Sequence, residues 1–100
     1  MNVFLDDVRE PPTGWDVARS MAECVELLKA NEVEQLSLDH DLGEGLPTGL
    51  DMVDWLVAND VWPPVITVHT ANPVGRQRMI ATLQRYAPAH VRLIHVFNLK

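Results

Sequence analysis

After Asp60 the chain has no acidic residue at all. All 14 Asp and Glu lie in positions 1–60 beside only three Lys and Arg, whereas the last forty positions hold the other five of the eight. The formal net charge of −6 is therefore not an even field. The split favours a site where acids hold a divalent cation while basic groups face a phosphate-bearing ligand; solvated faces divided unevenly are the bland alternative. Cysteine is almost absent: Cys24 stands alone at an apolar helical position, which excludes a disulfide framework. With no charged-then-apolar segment at its start, the chain is expected in the reducing cytoplasm. No apolar run approaches the roughly 20 residues of a membrane span, so no membrane partner is expected. Internal repeats and low-complexity tracts are missing too. What remains, 100 residues of which 47% are hydrophobic, suits one compact domain over 1–100 that needs no metal or disulfide staple.

The stretch Leu36-Ser37-Leu38-Asp39-His40-Asp41-Leu42-Gly43 stands out. An alternating strand stops there at two carboxylates with an imidazole between them. Asn2-Val3-Phe4-Leu5 likewise ends at Asp6-Asp7, and Val65-Ile66-Thr67-Val68 ends at His69-Thr70. Pro11-Pro12 and Gly14 make a helix after the first strand improbable, and a short second strand follows near Trp15–Arg19. Ser20-x-x-Glu23 and Thr48-x-x-Asp51 predict helix starts of the capping-box type. Asn72-Pro73 predicts a third, because Asn accepts from free amides and Pro at the first helical position loses nothing. The buried stripes are expected at Met21, Cys24, Val25 and Leu28, then Leu50, Val53, Leu56 and Val57, then Met79, Ile80, Leu83 and Tyr86. A last strand spans 91–96. The order β-loop-β-α-β-α-β-α-β predicts an α/β fold, a parallel sheet with helices on both faces, which brings the three chemistry-bearing strand ends to one rim.

Asp6, Asp7, Asp39 and Asp41 are candidate oxygen ligands for Mg²⁺, with Mn²⁺ the alternative, although one ion usually takes only one or two carboxylates. His40 and His69 are candidates for proton transfer near neutrality, His69 preferred because its strand delivers it to the rim beside Thr70; strand alternation turns His40 away from its flanking acids, so a structural role stands beside the catalytic one. Thr70, Asn72 and Arg76 surround a helix start, where free amides favour a phosphate, while Asn72 also serves as an ordinary cap. Arg9, beside the first acidic pair, suits phosphate or neutralisation of Asp6, and the sequence leaves both open. His90 and His95 have no acidic residue near them in the sequence and read as ordinary residues, and Trp15, Trp55 and Trp62 read as packing residues.

Two acids after the first strand, Asp39 closing the third and Thr70-Ala71 closing the fourth resemble the response-regulator receiver fold. A receiver also has a full helix after its first strand, a Lys-Pro after its fifth and a final helix; these are missing, unless Lys100 stands in for the lysine. The segments Leu5–Pro12, Ser37–Gly43 and Val68–Gly75 closely resemble the cyclic-phosphate-processing receiver-like domains. That resemblance implies a minimal receiver-like, flavodoxin-like three-layer sandwich with strand order 2-1-3-4-5, lacking the first crossover helix and the final one. It also implies action on cyclic phosphate ends of RNA or on cyclic nucleotides, with RNA-repair proteins as partners. The expected activity is a metal-assisted phosphoesterase using Asp39, His40 and His69. A phosphoacceptor signalling module using Asp39 and a binding-only module for phosphate ends are the alternatives. Two-histidine cyclic-phosphate enzymes need two H-x-T/S motifs, and neither His69-Thr70-Ala71 nor His95-Val96-Phe97 fits one.

Overall fold

The computed structural model describes residues 1–96. Its elements are β1 (Asn2–Leu5), β2 (Asp16–Ala18), α1 (Met21–Ala30), β3 (Gln35–Leu38), α2 (Gly49–Asn59), β4 (Val65–Val68), α3 (Pro73–Tyr86) and β5 (Arg92–His95). The five strands form one sheet in the order β2-β1-β3-β4-β5, parallel throughout. This is the receiver-like, flavodoxin-type arrangement. Lys100, the stand-in for a receiver's lysine, lies outside the described residues.

Caps begin the helices where local chemistry predicts them. Thr48 and Asp51 form a complete capping box, each side chain accepting from the other's backbone amide. Asn72 accepts from the Gly75 amide at 3.0 Å, with Pro73 opening α3. At α1 the box is shifted: Ser20 accepts from Glu23, but the Glu23 carboxylate accepts from the Arg19 amide at 2.8 Å instead of from Ser20. Tyr86, expected in the buried stripe, is 50% exposed. It is the last residue of α3 and carries the Arg85 guanidinium over its ring, a position where a phenol keeps its polar end in water.

Between β1 and β2, residues 6–15 make the parallel return without a helix. Asp16 already pairs with Val3, so the chain descends only about three residues, roughly 10 Å at strand rise. A proline-stiffened turn closed by Trp15 N–H to the Pro12 carbonyl covers that distance.

The helices occupy one face of the sheet, not the two expected. Right-handed crossovers from β2 to β3, β3 to β4 and β4 to β5 all place their helices on the same side in this strand order, and α1 packs on α2 as α2 packs on α3. The missing first crossover is the one that would cover the other side. Burial follows. Val3, Leu5, Leu36, Leu38, Ile66 and Val68 face the helices and are at most 1% exposed. The alternate residues form a mixed second face, with Asn2, Gln35, Ser37, Thr67 and Arg92 polar and Phe4, Val17, Val65 and Ile94 apolar.

Candidate functional site

Register carries the strand ends to one rim. Leu5, Leu38 and Val68 stand side by side, and the ladder runs one residue further, with Asp39 N–H donating to the Leu5 carbonyl and His69 N–H to the Leu38 carbonyl, both at 2.9 Å. Asp6, Asp39 and His69 therefore form a row, and strand alternation turns it to the face away from the helices, in line with Phe4 and Ser37.

Carboxylate oxygens of Asp6, Asp7 and Asp39 all lie within 4.8 Å of one another. The fourth predicted ligand, Asp41, is outside this group: it is exposed, and its two oxygens meet Asn72 Nδ2 at 3.3 and 3.4 Å. Asp6 is fully buried and takes four donors, the Val8 and Arg9 amides on Oδ1 and Arg9 Nη1 and His69 Nε2 on Oδ2. Burial alone would raise its pKa, but the Arg9 and Val8 amides, then His69 and the guanidinium, together hold it below the usual carboxylate value. Asp39 behaves oppositely. Burial pushes its carboxyl above the ordinary range and the Asp6 charge adds to this, outweighing bonds from the Thr70 hydroxyl and the His40 amide. Among the described residues no hydrogen bond reaches the Asp7 carboxylate.

His69 is only 3% exposed and lies beneath the rim, stacked flat on Phe4 with ring centroids 4.4 Å apart. An ionised Asp6 only accepts, so Nε2, at 2.9 Å, carries the proton. Nδ1 then accepts from the Ser37 hydroxyl at 2.7 Å. Burial lowers the His69 pKa despite the attraction of Asp6, and the ring is neutral. His40 packs at the entrance to α2, where its Nδ1 meets the Leu50 amide at 3.4 Å and its ring covers Gly75. Thr70 and Asn72 are engaged within the rim: the Thr70 hydroxyl accepts from the Asn72 amide and bonds Asp39, and Asn72 caps α3 while holding Asp41. Arg76 donates to the Thr70 carbonyl at 3.3 Å. Arg9, left open between two roles, neutralises Asp6 at 3.1 Å and lies 3.6 Å from Asp39.

The family model for the cyclic-phosphate processing receiver domain matches residues 1–85. This chain belongs to that family. The match includes every strand end that carries the acids and His69, and ties this receiver domain to cyclic-phosphate processing. No curated protein matches the chain.

Four further residues shape this rim without being candidates in the sequence, although Ser37 and Gly75 lie within the segments that carry the resemblance. Ser37 is a buried hydroxyl two positions before Asp39, on the same side of β3; its place on the polar side of the Leu36–Leu38 alternation gives no sign of that burial. Arg19 ties the loop after β1 by donating to the Asp6 and Arg9 carbonyls at 3.1 and 2.7 Å. Gly49 and Gly75 matter through space: a Cβ on Gly49 would overlap the Asp39 carbonyl, and one on Gly75 the His40 ring. Cys24 is no candidate nucleophile, because burial pushes its thiol up to about 12. No described helix is long and apolar enough to cross a membrane.

Proposed function

We propose that this domain is a metal-assisted phosphoesterase that opens a 2′,3′-cyclic phosphate on an RNA end or a free nucleotide. The observation that carries the reading is the convergence of Asp6, Asp7 and Asp39 oxygens within 4.8 Å beside the Arg9 guanidinium. The donor set fits a hard cation, since Mg²⁺ takes oxygen ligands, needs one or two carboxylates and leaves positions for water and phosphate. Asp7 and Asp39 would hold it, Mg²⁺ first and Mn²⁺ second, because Asp6 is saturated by its four donors. When bound, the ion stabilises charge on the phosphoryl oxygens and eases ionisation of the attacking water.

In the reaction the water oxygen bonds to phosphorus, one ribose P–O bond breaks, and the departing ribose oxygen takes up a proton, leaving a phosphomonoester. Arg9 offers charge-assisted bonds to the non-bridging oxygens, and Arg76 lies near the α3 start, where helix amides favour an anion. His40, its Nδ1 turned to the Leu50 amide at the start of α2, is the histidine left as a proton-transfer candidate. His69, bonded at both nitrogens, orients Asp6 instead. Proteins of RNA repair in the cytoplasm are the partners such an activity implies.

The test is incubation of the purified domain with 2′,3′-cyclic nucleotides and cyclic-ended RNA oligonucleotides, with Mg²⁺, Mn²⁺ or chelator, read by phosphorus NMR. Monoester is expected only with metal. Intact cyclic phosphate under every condition would leave a binding-only module as the better reading.

A further inference from the structure

Arg9 occupies an unusual position for a phosphate ligand. Its backbone is fixed at both ends, the amide by Asp6 Oδ1 at 2.8 Å and the carbonyl by Arg19 at 2.7 Å. The side chain is a third exposed, and Nη1 reaches across from Asp6 Oδ2 at 3.1 Å to Asp39 Oδ2 at 3.6 Å. The first distance is a hydrogen bond, while the second is ion-pair attraction without one. Asp6 holds Arg9 with a fully satisfied carboxylate; Asp39, whose second oxygen faces the guanidinium, is the weaker partner and the one a cation would need.

We propose that Arg9 is a built-in counter-ion of Asp39 that yields to a divalent cation and is thereby handed to the phosphate, so that cation and phosphate bind with positive coupling. This rests on the reading that Asp7 and Asp39 hold the cation. Without phosphate, the guanidinium repels a cation at Asp39 and weakens its binding. Once phosphate is present, the same guanidinium has an anion to pair with, and the repulsion becomes part of a four-charge cluster of alternating sign. Linkage then requires that each ligand raise the other's affinity by the same factor, on the order of tenfold for coupled sites of this kind. The arrangement makes an occupied site conditional on substrate: the cation settles fully only when a phosphate group is there to take Arg9.

The measurement is Mn²⁺ affinity from the free-ion electron paramagnetic resonance signal, with and without inorganic phosphate, against a protein-free control for Mn²⁺–phosphate pairing. Wild type, Arg9→Gln and Arg9→Lys are compared, with far-UV circular dichroism on each. Wild type is expected to bind Mn²⁺ about tenfold more tightly with saturating phosphate. Arg9→Gln is expected to bind Mn²⁺ alone more tightly than wild type by a similar factor and to lose the phosphate effect. Arg9→Lys, which keeps charge but not the planar fork, falls between. These changes have opposite signs, which a merely structural loss does not produce. Equal Mn²⁺ affinity in wild type and Arg9→Gln, or a phosphate effect that survives the substitution, overturns the proposal while leaving the metal reading intact. If Arg9→Gln does not fold, an absent phosphate effect in wild type, or one undiminished in Arg9→Lys, overturns it. No Mn²⁺ binding by wild type in any condition removes both.

Discussion

His69 shows how one residue can lie beneath a rim of carboxylates without opening onto it. Its proton lies on Nε2 because Asp6 accepts there, and Ser37 fills the other nitrogen. Burial keeps the imidazole neutral by lowering its pKa, so in the window below its unfolded value, about 6.5, the unfolded chain binds more protons than the folded one. The stability owed to neutral His69 is thus fully present above about pH 6.5 and is lost as pH falls toward the lowered folded value. His69→Gln should flatten that part of the stability–pH curve in denaturant titrations. It should also cost about 1–3 kcal/mol, the scale for leaving a buried partner unsatisfied, and Ser37→Ala should cost a similar amount. As a positioning residue, His69 when replaced by Gln should lower the height of the rate–pH profile without removing a limb. A lost limb would return His69 to proton transfer.

At the scale of elements, the start of α2 works on Asp39 through backbone contact. Gly49 is the first residue of the helix, its amide donates to the His40 carbonyl at 2.8 Å, and it leaves no space between the helix and the Asp39 carbonyl. Gly49→Ala must move that peptide, at about 1–3 kcal/mol for overpacking, and should weaken Mn²⁺ binding with it. Thr48→Ala removes the neighbouring cap for about 1 kcal/mol but does not touch Asp39. Comparing the two by thermal melts and metal titration separates helix stability from site geometry: both should melt earlier, and only the Gly49 variant should lose metal affinity. Equal metal loss in both would mean that α2 acts simply by being folded.

For the molecule as a whole, the ionised Asp39 is a cost the fold carries. Its folded pKa is raised, so the folded state binds more protons between the ordinary Asp value and the raised one, and stability falls as pH climbs through that interval. In chelator at neutral pH, Asp39→Asn should therefore raise the melting temperature by several degrees, about 4–8 °C for each kcal/mol in a domain of this size, while abolishing turnover. An unchanged or lower melting temperature would show that the Arg9 charge already offsets the burial. Incubation with acetyl phosphate and Mg²⁺ is expected to leave the intact mass unchanged. A phosphate adduct lost in Asp39→Asn would favour the signalling alternative.

Strands, helices and their ends were legible in the chain because their causes lie within a few residues: alternation in Gln35–Leu38, oxygen-bearing caps at Ser20, Thr48 and Asn72, Pro-rich punctuation after Asp7. Parallel topology followed from that order, and with it the shared rim for Asp6, Asp7, Asp39 and His69. Side-chain partners were not legible, because they depend on how segments from 10 to 63 positions apart come together. Only the folded sheet places Ser37 and Asp6 on either side of the His69 ring, turns Asp41 out to Asn72, and brings Gly49 against Asp39. The one-sided core was decided the same way. Strand order and crossover handedness choose a face for every helix together, and no single stretch of sequence contains that choice.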